Sequence, residues 1–353
     1  MKEPVHPILL TLLFALCIAL PLAAQLEGDS VIIGISIATV FDANQRMMPA
    51  DTVVAPNAPS RITRKIRQST DGSLLFAAYS DIVTYDGTSF SRIAKTQGLE
   101  SFDAFDVLES VEGSFWIAST HFGVYEYDGA AYTHFSTMEG LVHDRTMCLY
   151  EDHQGTIWIG TEGGISCYDG ARFRNLTTAD GLTNHNINTI VADQHGAVWV
   201  GTRGALCIYD PTASEQDEIH FTEYVDATGQ SFTNIWSIVE DDQGQIWLSG
   251  EGGVWRITAT TSTKIVDYST TGMHLDTKGN LWFTHRTNGP HPAGLSYFSA
   301  SSLLKEQPIL TQVLEGNGMF FGLGEDQYGH IWVGTLSGVF RYDGTSVTYF
   351  VEE

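Results

Sequence analysis

Histidines, arginines, carboxylates and amides able to bind or catalyse recur at two kinds of position in this 353-residue chain. His121, Glu162, Arg203, Glu251 and the pair His285-Arg286 follow apolar segments centred on a tryptophan. His143, Asp144, Arg145, Asn184 and His185 stand in the polar stretches that lead into the next such unit. Arginine forks and imidazoles beside exposed aromatic rings suit a neutral or weakly acidic sugar. Glu162 and Glu251, one as acid and one as base, are the residue types of glycoside hydrolysis, which demands a fixed separation of two carboxyls. No triad, zinc spacing or phosphate loop is recognisable, as expected where a site is assembled from distant loops.

These residues are positioned by a repeat of about forty residues. Its seven copies align on Leu75, Trp116, Trp158, Trp199, Trp247, Trp282 and Trp332, spaced by 41, 42, 41, 48, 35 and 50 residues. Glycine stands three positions before each anchor, at Gly72, Gly113, Gly155, Gly196, Gly244, Gly279 and Gly329. The copy around Trp199 predicts strands over 186–192, 197–201, 205–209 and 219–224. Between the first two, Asp193 accepts backbone hydrogen bonds and Gly196 takes positive φ. Such units predict an all-β fold, a seven-bladed β-propeller of four-stranded antiparallel blades.

Nine positions before the anchors, Ile66, Val107, Leu149, Ile190, Ile238, Met273 and Leu323 are all apolar and are expected between blades. Eleven positions before, Arg64, Phe105, Met147, Asn188, Trp236, Thr271 and Phe321 form a mixed column, expected nearer the central channel. The anchor tryptophans are expected in the inter-blade core, not as ligand platforms. Antiparallel alternation puts loops between second and third strands on the same face as loops between blades, which gathers all the candidate residues there. The repeat around Trp282 has a long loop, 284–292, and irregularity amid regular units marks a candidate site.

Composition sets bounds on partners. With 42 acidic against 18 basic side chains the net charge is −24, which disfavours nucleic acid and anionic membrane. A cationic ligand or divalent cation remains compatible, although no cofactor motif is present and Asp241-Asp242 lacks the regular ligand offsets of a calcium loop. Residues 1–24, with an apolar run over 8–24 behind Lys2, read as a signal peptide or an N-terminal anchor. No later run reaches the ~18 apolar residues of a second span. Export to the periplasm or the extracellular space is expected, with N-terminal tethering as the alternative.

Residues 25–60 read as a lead-in with an extra strand over 31–41 and a Pro/Ala-rich linker, and 61–353 as the ring. The last repeat holds its own fourth strand over 347–351, so the ring needs no borrowed strand, and the lead-in is expected against its outside or bottom. Cys148, Cys167 and Cys207 make no disulfide framework and are expected as buried free thiols. Cys167 lies nine after its anchor and Cys207 eight after its own, which predicts opposite faces of their blades.

Gly140-Leu141 with Asp144 and Gly181-Leu182 with Asn184 open two units, ahead of Glu151-Asp152 and Asp193. Trp158-Ile159-Gly160-Thr161, Trp199-Val200-Gly201-Thr202 and Trp332-Val333-Gly334-Thr335 form unit centres, and Tyr-Asp-Gly closes units at Tyr85, Tyr127, Tyr168 and Tyr342. In these motifs, over residues 61–351, the chain resembles the two-component regulator propeller repeat family. The resemblance implies an extracytoplasmic sensor that feeds a transmembrane kinase or cyclase and, in many members, reads carbohydrate. The chain departs from that pattern in having a single ring and no linker domain, as a stand-alone exported propeller or part of a longer protein, so no catalytic output carries over. Residues 276–284 are similar to one repeat of streptogramin lyase-like propellers, whose chemistry uses a histidine base and a bound metal; that pattern cannot be placed residue by residue.

The expected role is therefore sensing or interaction without catalysis, with a small molecule, a glycan or a protein such as a signalling receptor as partner. The alternative is an enzyme on the same face, either a metal-dependent lyase using His285 or a glycan hydrolase using Glu162 and Glu251.

Overall fold

The computed structural model describes residues 31–32, 39–41, 47–49, 52–93, 101–211, 219–258, 261–286, 293–316 and 318–352. The apolar run 8–24 and residues 287–292 of the long loop lie outside them. The strands Thr63–Gln68, Ala104–Glu109, Thr146–Glu151, Ile187–Ala192, Ile235–Glu240, Thr270–Leu275 and Leu323–Glu325 begin blades 1 to 7. Each blade adds three more strands, antiparallel and in sequence order, to make the expected seven-bladed propeller. First strands touch the first strands of both neighbouring blades all the way round, so they form the inner wall.

Two described strands of the lead-in add to the outer edge of the ring. Val31–Ile32 pairs in parallel with the outermost strand of blade 6, Leu310–Gly316. Thr52–Val54 does the same on the outermost strand of blade 7, Val347–Val351. The single strand expected over 31–41 is thus at least divided, because Thr39–Phe41 pairs instead with Met47–Pro49.

One apolar cluster fills each inter-blade layer, and each anchor packs against the following blade. The column nine before the anchors is buried throughout. Cys167 of blade 3 and Cys207 of blade 4 face one another across a single layer, with Cys148 in the same cluster. All three are free buried thiols, and burial pushes the Cys148 thiol up to about 12.

The recurrent acidic residues are structural. Asp152, Asp193, Asp241, Asp276 and Asp326 each accept their anchor's indole Nε1–H at 2.8–2.9 Å through Oδ2. Through Oδ1 each also accepts two backbone N–H groups of its own turn. Both oxygens of Asp241 are therefore engaged, which leaves none unpaired for a cation. The glycine three before each anchor closes that turn at φ between +72° and +89°, where a Cβ is strained.

The glutamate one position earlier reaches backwards. Glu109, Glu151, Glu240 and Glu325 accept N–H of Thr70, Val111, Gln194 and Thr277 at 2.6–2.8 Å, each in the preceding blade's turn. After three anchors the second residue is glycine, at Gly160, Gly201 and Gly334, for a related reason. A Cβ on Gly160 or Gly201 would lie 2.8 or 2.9 Å from the Ile187 or Ile235 side chain on the next blade's first strand.

Tyr-Asp-Gly closes the turn between third and fourth strands. Asp86, Asp128, Asp169 and Asp343 each accept two backbone N–H groups there. Those bonds, led by the backbone donors, hold all four below the ordinary aspartate value of 3.8. A folded-state value below the unfolded one gives stability that is present above the unfolded value and lost as pH falls through the folded one. The melting temperature is therefore expected to fall steadily below about pH 4, and less steeply in Asp343→Asn. A flat melting curve across that range would remove these turns from the acid response.

Blade 7 meets blade 1 in the layer richest in rings. Trp332 is fully buried, with ring centroids of Tyr85, Phe350, Phe76 and Phe90 at 4.8, 5.3, 5.6 and 6.1 Å. Ala55 N–H donates to Val351 O at 2.9 Å, and Arg92 of blade 1 pairs with Glu352 across the seam and with Asp81 of its own blade.

On the inner wall, Asp106 of blade 2 is completely buried. It takes a two-pronged contact from Arg67 of blade 1, Nε at 3.0 Å and Nη2 at 2.7 Å. Backbone N–H of Val107 and Leu149 complete its shell at 2.9 Å, and Arg67 Nη2 also donates to Leu149 O at 2.8 Å. One ion pair thereby links three consecutive blades.

Candidate functional site

Each of blades 1 to 6 carries a bulge near the head of its first strand. The skipped residues are Arg64, Phe105, Met147, Asn188, Trp236 and Thr271 with Gly272, so the mixed column eleven before the anchors is the column of bulged residues. A bulge re-aims its side chain out of the ladder, and here it does so on the inner wall. Asn188 Nδ2 donates to Ile235 O at 2.9 Å and Thr271 Oγ1 to Phe320 O at 3.0 Å, each reaching the next blade. The Arg64 guanidinium lies 4.7 Å from the Phe105 ring centroid and 5.5 Å from that of Phe321, bridging its two neighbouring blades.

The loops carrying the candidate residues fall where the repeat put them. His121, Glu162, Arg203 and Glu251 follow second strands ending at Ser119, Thr161, Thr202 and Gly250. His143, Asp144, Arg145, Asn184 and His185 lie between blades, ahead of Thr146–Glu151 and Ile187–Ala192. Thr161 and Thr202 brace two of these loops, each hydroxyl donating across its turn to Gly164 O at 2.9 Å and Ala205 O at 2.7 Å.

Within that face the structure brings residues together in pairs. Arg145 Nε lies 3.3 Å from Glu162 Oε2, and Glu162 N–H donates to Arg145 O at 3.0 Å. Arg145 N–H donates to His143 Nδ1 at 3.0 Å, so a neutral His143 carries its proton on Nε2. His121 Nδ1 is 3.2 Å from Asp103 Oδ2. Asp144 accepts Thr137 N–H at 2.7 Å and Asn184 accepts Asn186 N–H at 2.9 Å, so both shape their own loops. His185, Arg203 and Glu251 are exposed, without a side-chain hydrogen bond among the described residues.

Glu162 and Glu251 stand on blades 3 and 5 with blade 4 between them, and Glu162 is answered by Arg145. His285 ends the strand Leu281–His285 and is 3% exposed, its Nε2 3.2 Å from Ser296 Oγ and its ring edge-on to Tyr268 at 5.2 Å. Its neighbour Arg286 is half-buried beyond the strand end, and Arg286 N–H donates to Ser269 O at 3.2 Å. The residue that sequence reasoning passed over is Arg64. Its signal was present, since it is the one charged side chain in a column otherwise uncharged.

Among the described residues no group of three or more His, Cys, Asp or Glu is placed to hold a metal ion. No helix there is long and apolar enough to cross a membrane.

The model of the family "Two component regulator propeller" matches residues 140–163, 181–204 and 229–252. The search of curated proteins finds no match. Among solved structures, the chain is similar to the extracellular domain of a hybrid two component system from B. thetaiotaomicron, with TM-score 0.64 and 19% identity over 85% of this chain and 42% of that one. It is similar also to the extracellular domain of a one component system from the same organism, with TM-score 0.65 and 17% identity over 81% and 39%. A virginiamycin B lyase from Staphylococcus aureus, solved with quinupristin, gives TM-score 0.59 and 14% identity over 86% and 97%. The chain thus spans less than half of the two sensor domains, and identities this low establish the fold alone. The repeat match and the seven blades agree: this chain is a seven-bladed β-propeller, three segments of which match the two component regulator propeller model.

Proposed function

We propose that the ring is an exported sensing or protein-docking module that uses its inter-blade and second-to-third-strand loop face and performs no chemistry itself. One observation carries this reading. The residues that define the repeat are spent on turns and blade contacts, whereas Arg145, His185, Arg203 and Glu251 stand exposed on loops of one face. Polar groups held on loops by a rigid scaffold are the usual makings of a recognition surface. The likeness to extracellular domains of signalling systems supports a place outside the cytoplasm, and the apolar run 8–24 supports export. Carbohydrate is the ligand class that arginines, imidazoles and carboxylates on such a face suit best.

The test is a thermal-shift screen of the protein against neutral and acidic glycans and divalent cations. A glycan that binds only the folded ring is expected to stabilise it by about 2.7 kcal/mol at a hundredfold excess over Kd, with the glycan recovered unchanged. Release of a product on long incubation would overturn the non-catalytic reading. A silent screen, followed by capture of no partner from the exported fraction, would overturn recognition altogether.

Catalysis is favoured by one fact, the match over nearly the full length of the lyase. Against it stands His285, the base that reading needs, packed beneath the face instead of on it.

A further inference from the structure

Arg64 of blade 1 and Arg286 of blade 6 approach the same segment: the Arg64 guanidinium lies 5.5 Å from the Phe321 ring centroid, and Thr284, two residues before Arg286, donates through Oγ1 to Phe321 O at 3.3 Å. Burial first, and then the charge of Arg286, hold Arg64 below the ordinary arginine value. The Nε–H of Arg64 is buried without a hydrogen-bond partner, and so is that of Arg286. Neither forms an ion pair with any described carboxylate, although the chain carries 42 acidic residues. The contrast with Arg67 is informative, because that arginine, on the same strand, is fully matched by Asp106. Two like charges with unmet donors raise the free energy of the empty ring, and an oxyanion between them would lower it. The Phe105 and Phe321 rings flank the Arg64 guanidinium from the two neighbouring blades.

We infer that Arg64 and Arg286 form a receptor for the oxyanion of a small ligand, a carboxylate or a phosphate, on the inner wall at the candidate face. The ring scaffold presents the two forks, and Phe105 and Phe321 offer an apolar wall to the body of the ligand. This rests on the sensing reading for its biological use, and it gives that sensed ligand a negative charge.

The experiment is calorimetric titration of the whole chain with glucuronate, inorganic phosphate and glucose, in parallel with thermal melting. The wild type is expected to bind at least one anion and to ignore glucose. Arg64→Met and Arg286→Met are each expected to weaken that binding at least about tenfold, with a melting temperature unchanged or raised because a like-charge contact is gone. Arg64→Lys keeps the charge but loses the planar fork, and is expected to weaken binding as well. Glucuronate alone identifies an acidic sugar, phosphate alone a phosphorylated ligand, and both uphold the site. Three results would overturn it: no binding of either anion by the wild type, unchanged affinity in Arg64→Met, or a lowered melting temperature with affinity intact. Glucose binding as tightly as glucuronate would sink the oxyanion receptor and leave the sensing role standing.

Discussion

Trp332→Ala is expected to destabilise the protein by about 3–5 kcal/mol through lost burial and the cavity left behind. A further loss of about 1 kcal/mol comes from the indole hydrogen bond to Asp326 Oδ2, which keeps His330 Nδ1 at 3.0 Å. Trp332 is fully buried among Phe76, Tyr85, Phe90 and Phe350, at the one junction where adjacent blades are not consecutive in the chain. At every other junction a chain connection keeps neighbouring blades together after side-chain packing is weakened. Here packing, the parallel strand Thr52–Val54, the hydrogen bond from Thr63 N–H to Thr335 O and the Arg92–Glu352 pair do so. Trp332→Phe separates the two contributions, because it refills most of the volume and removes only the indole donor, leaving Asp326 Oδ2 to His330 Nδ1. Equilibrium denaturation of both variants beside Trp158→Ala checks the claim. An equal loss at Trp158, inside the covalent run of blades, would show that closure adds nothing special.

The second large effect belongs to the ion pair on the inner wall. Arg67→Met is expected to cost about 3 kcal/mol, because it strands the carboxylate of Asp106 in a site with no solvent access. The charge, and not the missing contact, causes most of that cost. Asp106→Asn in the Arg67→Met background is therefore expected to restore a good part of the loss, since an amide oxygen can still accept from Leu149 N–H. A double variant no more stable than Arg67→Met would place the penalty in the lost packing of the arginine stem instead. The same measurement reports on cooperativity, because Arg67 and Asp106 hold blades 1 and 2 to the backbone of Leu149 in blade 3.

Most of the architecture can be read from the chain because blades 3 to 7 solve the same problem with the same residues. Tryptophan fills the layer to the next blade, aspartate six positions earlier takes its indole N–H, and glycine between them turns the chain. The glutamate beside that aspartate is conspicuous in sequence, yet its role is hidden because its partner is a backbone N–H about forty residues back. The bulges are hidden too. Nothing in the residue types Arg64, Phe105, Met147 and Asn188 announces a skipped position, since the cause is the geometry of strands converging on an axis.

The candidate face is legible only as a location. Alternation of antiparallel strands fixes which loops share a face, and those loops are where the repeat puts them. What each side chain does there depends on neighbours from other blades. His285 and Arg286 are adjacent in sequence, yet one packs inside blade 6 and the other stands half-buried beyond the strand end, its N–H on Ser269 O. The residues that carry the family resemblance are the ones consumed by the scaffold, so membership says little about the ligand.

The coincidence of sequence repeat with structural blade has a consequence for how such rings change. Duplication or loss of one unit adds or removes a complete four-stranded sheet and leaves no half-blade seeking a partner. The copy number is then limited by the inner wall, where the first strands must still meet around the axis. The seam must also be rebuilt each time, because the first and last copies have no linker to hold them in register. The concentration of rings around Trp332 marks where that demand falls: a lineage can multiply its middle copies freely, while the two terminal ones are obliged to remain complementary to each other.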